Sequence, residues 1–364
     1  MRPIHRWGVV AIGIAVLISL PWVVAQRPAH DSPIGAAQLL QRIQESGTAK
    51  YSGYVESVGG LVLPVTDQVS DVADLLGDRT QARVWWRGPA DWRVDRLSVF
   101  GETDTHRDAD GIWTWNYEQS SAVRTPVPTP GSVRLPDTVD IVPAELARRL
   151  LSAAAATEVS RIPAKVIAGR SAVGLRLRPA EAQSSIDHVD VWALSDTGIA
   201  LRVDVIGKGS GVAAMSTAFL DFDATPPSAS QTAFAPTDQA RASYSDGFSI
   251  VAANPTNEGP TLPASLGGLN RNGESPVKTV GVYGRGVTEL VVAPLRRRFA
   301  FSLRDQLISA GAVETNRLVS LAVGPINLTL VERFRGGTSW LVVGTVDRAT
   351  LTAAAATLGA LVGG

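Results

Sequence analysis

A chain of 364 residues carrying 34 basic and 34 acidic side chains has no net charge, which argues against the basic surface that nucleic acid requires. Its length and 45 % hydrophobic content allow two domains of ordinary size, each with its own core. Cysteine is absent, which excludes thiolate metal ligands, a thiol nucleophile and lipid attachment through an N-terminal cysteine.

Arg2, His5 and Arg6 precede an apolar run from Trp7 to Ala25. A basic stretch followed by an apolar one is the pattern of export. Val23-Val24-Ala25 offers small residues for cleavage, yet the run is long enough to span a bilayer as a helix. Residues 1–25 therefore read as a signal peptide or an N-terminal membrane anchor, and either places the remainder of the chain outside the cytoplasm.

Residues 35–46 predict an amphipathic helix, with Leu39, Leu40 and Ile43 at helical spacing and Gly47 as its stop. A strand-like stretch from Lys50 to Val65 is broken at Gly59-Gly60, and an acidic loop follows over 66–79. Five of the nine tryptophans (Trp85, Trp86, Trp92, Trp113 and Trp115) then fall within 83–117, in period-two runs divided by turn residues. Such runs read as an antiparallel meander. Alternation puts Trp113, Trp115 and Tyr117 on one face of a strand, and sets Trp85 opposite Trp86. An indole on both faces implies either a two-sided core or an incompletely filled apolar cavity.

A proline-rich connection covers 125–143, and a helix is predicted over Glu145–Thr157 with Leu146, Leu150 and Leu151 on one face. Strand pairs follow over Pro163–Leu177, turning near Gly169, and over His188–Val205, turning at Asp196-Thr197-Gly198. MSTAFLDFDAT closes the first domain, 35–224, and residues 225–242 read as a linker or long crossing segment. The rest, 243–364, predicts a small α+β domain. It has a low-complexity loop at 254–276, several strands, a short helix over Arg304–Gly311 and a final helix capped by Asp347.

Catalytic candidates are weak. His106 and His188 have acidic neighbours, but the sequence shows no third ligand in a motif with them, so no metal site is expected. Ser243, Ser245 and Asp246 lack a nucleophile elbow and read as a turn. IGKGSG at 206–211 lacks the full phosphate-loop pattern and reads as a hairpin tip. Arg296-Arg297-Arg298 suits a solvated turn better than a contact with anionic headgroups. No catalytic residue and no cofactor are expected.

Several phrases together resemble the LolA/RseB (MucB) superfamily of exported lipoprotein carriers and sigma-regulatory proteins. LLQRIQESGTAKYSGYVES (39–57) is similar to that family's opening helix and Tyr-x-Gly strand. ARVWWRGPADWRVD (82–95) and DADGIWTWNYE (108–118) resemble its Pro-x-x-Trp-Arg turn and Asp-Gly-x-x-x-Trp strand. VIAGRSAVGLRLRPA (166–180) and VDVWALSDTGIALRVDV (189–205) resemble the signature of the RseB branch. The tail is less similar, through YSDG (244–247) and VVGTVDRATL (342–351).

The resemblance implies an α+β fold: a curved, half-open antiparallel β-barrel capped by helices, followed by the small C-terminal domain. It also implies a non-catalytic regulator that binds an acyl chain of a lipid or lipoprotein and contacts a membrane-bound anti-sigma factor. The alternative is a carrier of lipid or lipoprotein in the cell envelope. On this reading Tyr54, Trp86, Trp92, Trp113, Trp115, Trp192 and Leu201 are the candidates to line an apolar cavity. A fully buried 16-carbon chain would contribute ~12 kcal/mol at ~0.8 per methylene, much of which an association cost of ~4–15 kcal/mol offsets.

Overall fold

Alternating strands become a continuous sheet where the residues between them tolerate tight turns, and this chain supplies such turns repeatedly. The computed structural model describes residues 29–60, 79–98, 101–127, 137–235, 241–244, 261–272, 279–332 and 338–361. The run Trp7–Ala25, residues 66–78 of the acidic loop, nearly all of YSDGFSIVAA and parts of the 254–276 loop lie outside the described residues. Among the described residues no helix is long and apolar enough to cross a membrane.

The tryptophan meander forms β2 (Arg79–Gly88), β3 (Asp91–Ser98), β4 (Gly101–Arg107), β5 (Ile112–Asn116) and β6 (Ser121–Thr125). It joins β1 (Tyr51–Gly59), which pairs on its other side with β11 (Ala213–Asp223). The sheet continues through β10 (Ala200–Gly207), β9 (Ile186–Ala193), β8 (Arg170–Leu177) and β7 (Val159–Ile167). At the far end β12 (Arg241–Tyr244) adds in parallel to β6. The resulting order is β12-β6-β5-β4-β3-β2-β1-β11-β10-β9-β8-β7, a twelve-stranded curved sheet whose ends do not meet.

Local chemistry explains its turns. Ala168 and Gly169 both take positive φ, 48° and 72°, between β7 and β8, as a two-residue hairpin of this hand requires. Gly198, at φ 73°, passes so near the backbone of Arg42 that a Cβ would lie 2.2 Å from its carbonyl oxygen. Only glycine fits there.

Helix α1 (Ala36–Glu45) buries Leu39, Leu40 and Ile43 as expected, and α2 (Pro143–Leu151) buries Leu146, Ala147 and Leu151 beside it. Both cover β7–β11, against Val173, Leu175, Val189, Val191 and Val203. Burial of such side chains stabilises by about 1.5–3 kcal/mol each. Helix α2 ends at Leu151, short of the expected Thr157. Arg285 takes the free carbonyl of Ala153 at 2.7 Å, and a separate turn at Ala156–Glu158 redirects the chain.

The stretch read as linker or crossing segment runs over the meander. Arg87 donates to the Pro227 carbonyl at 2.6 Å, a one-turn helix, α3 (Ala229–Thr232), packs on β2 and β3, and Phe234 lies on β4 and β5.

A hairpin, β13 (Ser265–Leu266) and β14 (Leu269–Asn270), precedes a six-stranded antiparallel sheet. That sheet comprises β15 (Gly281–Arg285), β16 (Thr288–Leu295), β17 (Val313–Thr315), β18 (Leu318–Val323), β19 (Ile326–Val331) and β20 (Ser339–Gly344), in the order β15-β16-β20-β19-β18-β17. Helix α4 (Arg297–Ser309) packs Ala300 and Leu307 against one part of it. This corrects the sequence reading, since Arg297 and Arg298 open a helix that begins well before Arg304. The last helix, α5 (Arg348–Leu361), is capped as expected: the Thr350 amide donates to Asp347 Oδ1 at 2.7 Å.

Candidate functional site

The seven aromatic and apolar candidates do not meet in one cavity. Cross-strand partners share a face of a sheet, and the register pairs Trp86 with Tyr51 and Trp92 on one face. It pairs Trp85 with Arg93, Arg93 with His106, and His106 with Trp113 on the other. Trp115 and Tyr54 belong to that second face, through Asp104 and Arg83.

On the first face Trp86, 1 % exposed, stacks between Tyr51 at 6.1 Å and Trp92 at 5.8 Å, and its indole donates to the Gly47 carbonyl. Phe219, Phe222, Ile141, Val142, Leu201 and Trp192 complete this core. Trp192 is further held by the Lys165 ammonium, 3.6 Å from its ring. On the second face Trp113 and Trp115 pack against Phe234, and the Tyr54 hydroxyl donates to Gln81. Trp86 and Trp92 are stacked rings, whereas Trp113 and Trp115 lie tilted against Phe234 and Trp85 carries the Arg93 guanidinium over its face.

Among the described residues an apolar cavity lies between the two sheets, with a volume of about 210 Å³. Ile141, Leu146, Leu150, Ile186, Val205 and Met215 line it from the large-sheet side, and Val287, Pro325 and Ile326 from the small-sheet side. None of the seven candidates contributes to its wall. Asp137, Asp140, Arg149 and Glu289 add a charged side, where Arg149 donates to Asp140 at 2.5 Å. Burial pushes the Glu289 carboxyl up, and the Arg149 charge only partly opposes it.

The two sheets are also bonded to each other directly. Backbone hydrogen bonds run from Ser185 to Thr345 and from Asp347 to Gln183, and Ser184 bridges to Val346. Arg285 meets Glu158 at 2.8 Å and Glu181 at 2.7 Å. Burial pushes the Glu158 carboxyl up, but the Arg285 hydrogen bond and the Ala155 and Ala180 amides outweigh it, so the pKa is lowered. Sequence reasoning missed these residues because single leucines, valines and isoleucines carry no signal of whose neighbours they become.

The fold also gathers Asp95, Asp104 and His106, all buried, with one possible metal-ligating atom from each within 4.8 Å of the others. No metal site was expected, because the sequence offers no ligand motif. The usable signal was the alternation Asp104-x-His106, which places both side chains on one face. Burial and the nearby Asp95 charge push the Asp104 carboxyl up to about 7, against the opposing pull of Arg93.

No family model matches the chain, and no curated protein does. Among solved structures, the complex of Pseudomonas aeruginosa MucA and MucB contains a chain that is 14 % identical, with a TM-score of 0.51, covering 88 % of this chain and 96 % of that one. MucB in complex with MucA(peri) gives 15 % identity and a TM-score of 0.47 over 88 % and 97 %. A LolA-superfamily protein from Nitrosomonas europaea gives 10 % identity and a TM-score of 0.25 over 55 % and 98 %. At such identity the first likeness speaks to architecture alone, and over the 88 % of the chain that it covers this protein shares the fold of that complex's chain.

Proposed function

We propose that this protein is an exported, non-catalytic binding regulator, in which an apolar group lodged between the two sheets alters the grip on a membrane-bound protein partner of the anti-sigma class. The observation that carries the reading is the cavity wall, built from both sheets at once. A ligand there has different affinities for different arrangements of the sheets, and so is linked to any partner that favours one of them. MucB, whose fold this chain shares, is itself held in complex with MucA. The apolar run Trp7–Ala25 behind a basic start supports export and tethering at the membrane.

The cavity also bounds its occupant. At about 210 Å³ it falls below the ~300–1,000 Å³ of most small-molecule sites. A space of this size suits part of an acyl chain, whose burial contributes ~0.8 kcal/mol per methylene against an association cost of ~4–15 kcal/mol. The carrier reading gains less, because a carrier needs no wall from the small sheet.

The test is binding of a fluorescent medium-chain fatty acid to the full chain in nanodiscs. Val287→Trp, which fills the cavity from the small-sheet side, is expected to abolish binding, whereas Trp113→Ala keeps it. Unchanged binding by Val287→Trp sinks the cavity reading.

A further inference from the structure

The second face of the meander holds a polar knot that the proposed regulation does not use. Asp104 and His106 alternate along β4, and Asp95 on β3 is the cross-strand partner of Asp104. The three side chains come from a single hairpin, so local register alone brings them together.

Three features of the knot point to a cation. The first is charge. Both carboxylates are bonded to one guanidinium: Arg93 Nε donates to Asp95 Oδ1 at 2.5 Å and its terminal nitrogen to Asp104 Oδ2 at 2.9 Å. Arg83 bears on Asp95 through its charge, and the Tyr117 phenol is a neutral hydrogen-bond partner of Asp104. One bonded guanidinium thus serves two buried carboxyls. The second is an orphan acceptor. Asp104 is 2 % exposed, and its Oδ1 has no hydrogen-bond partner. A buried polar atom left this way costs about 1–3 kcal/mol unless something fills the position.

The third is the histidine tautomer. His106 Nδ1 lies 3.0 Å from the Thr232 carbonyl oxygen. A carbonyl only accepts, so Nδ1 carries the proton and Nε2 presents its lone pair. Metal-ligating histidines are held in this way, with the remaining ring nitrogen donating to a carbonyl or carboxylate. His106 is 3 % exposed, and the Phe234 ring packs on it at 4.8 Å, which keeps the imidazole out of bulk water.

We infer that Asp95, Asp104 and His106 bind a divalent transition-metal ion of the zinc class. An imidazole nitrogen with two carboxylate oxygens suits zinc, whereas magnesium and calcium prefer oxygen alone and more ligands. Bonds of ~2.0–2.2 Å to zinc draw the three donors slightly inward. The role is structural: through His106 and Thr232, the ion ties the meander to the segment around α3 that runs over it.

The full chain in detergent, stripped with chelator and dialysed, is titrated with zinc chloride by calorimetry while Tm is followed. The expected result is one ion per chain and a Tm raised by several degrees. His106→Gln and Asp104→Asn lose at least a hundredfold in affinity, and His188→Gln, whose ring pairs with Asp187 at 2.5 Å on the surface, does not. Circular dichroism checks that each variant is folded, and if Asp104→Asn is not, His106→Gln decides. Absence of zinc binding overturns the inference and leaves the carboxylate pair holding a proton. Binding that survives in both variants overturns it too, because the ion then sits elsewhere.

Discussion

The core around Trp86 and the cavity between the sheets differ in how they announce themselves. The first is made of tryptophan, tyrosine and phenylalanine, conspicuous in any reading of the chain, and it is filled. The second is made of isoleucine, leucine, valine and methionine drawn from residues 141 to 326, and it is open. Large flat rings can stack and close a core completely, whereas smaller aliphatic side chains on two separately built sheets meet with a gap. Conspicuous chemistry therefore marks where this protein is rigid. Its adaptable space lies among ordinary residues.

The sharpest test of that contrast is Trp86→Ala. Removing an indole stacked on two rings should cost about 3–5 kcal/mol, read as a lower urea midpoint at unchanged slope, or as outright failure to fold. A loss below about 1 kcal/mol would mean that the core is looser than its geometry and could itself be a site.

Arg285→Ala comes next. It removes the ion pairs to Glu158 and Glu181 and the bond to Ala153. Because Arg285 is partly exposed, the expected cost is about 1 kcal/mol. Its signature is a calorimetric transition that splits in two as the sheets uncouple. A single unchanged transition would show that the backbone bonds from Ser185 and Asp347 suffice.

Filling the cavity should have the opposite sign. Ala214 lies on its wall, and Ala214→Leu is expected to add about 0.5–2 kcal/mol of stability while blocking the fatty-acid probe. Destabilisation instead would mean that the wall cannot yield to the added methyl groups.

The smallest effects are those of pH, and two carboxyls near the cavity act in opposite directions. Glu158 has a lowered pKa in the folded state, so its contribution is present above the ordinary glutamate range and lost as pH falls through its folded value. Glu289 has a raised one, so its contribution is complete below the unfolded value and lost as pH rises through the folded value. Glu289→Gln should therefore raise Tm at neutral pH and lose that advantage in acid. Parallel Tm curves for wild type and variant would show that Glu289 is not desolvated.

Local features were legible before any coordinates. The buried stripe of α1 followed from leucine and isoleucine spacing, and the Asp347 cap from a side chain that reaches its own helix. The opposed faces of Trp85 and Trp86 followed from the period of a strand. The end of α2 was not legible, because the Ala153 carbonyl is claimed by Arg285, more than a hundred residues away. Nor was the sheet order that places β11 between β1 and β10, since hydrogen bonding between strands carries no record of sequence distance.

The sequence by itself determined most of the elements, the turn at Gly169 and the buried stripe of α1, because each depends on residues within a few positions of one another. Tertiary structure alone decided which faces met. It split the tryptophans between two surfaces, opened a cavity among plain aliphatic residues, and set His106 against Thr232 so that its free nitrogen presents a lone pair. Those outcomes depend on how separately formed surfaces fit, and the shape of a gap between two surfaces is a property of neither alone.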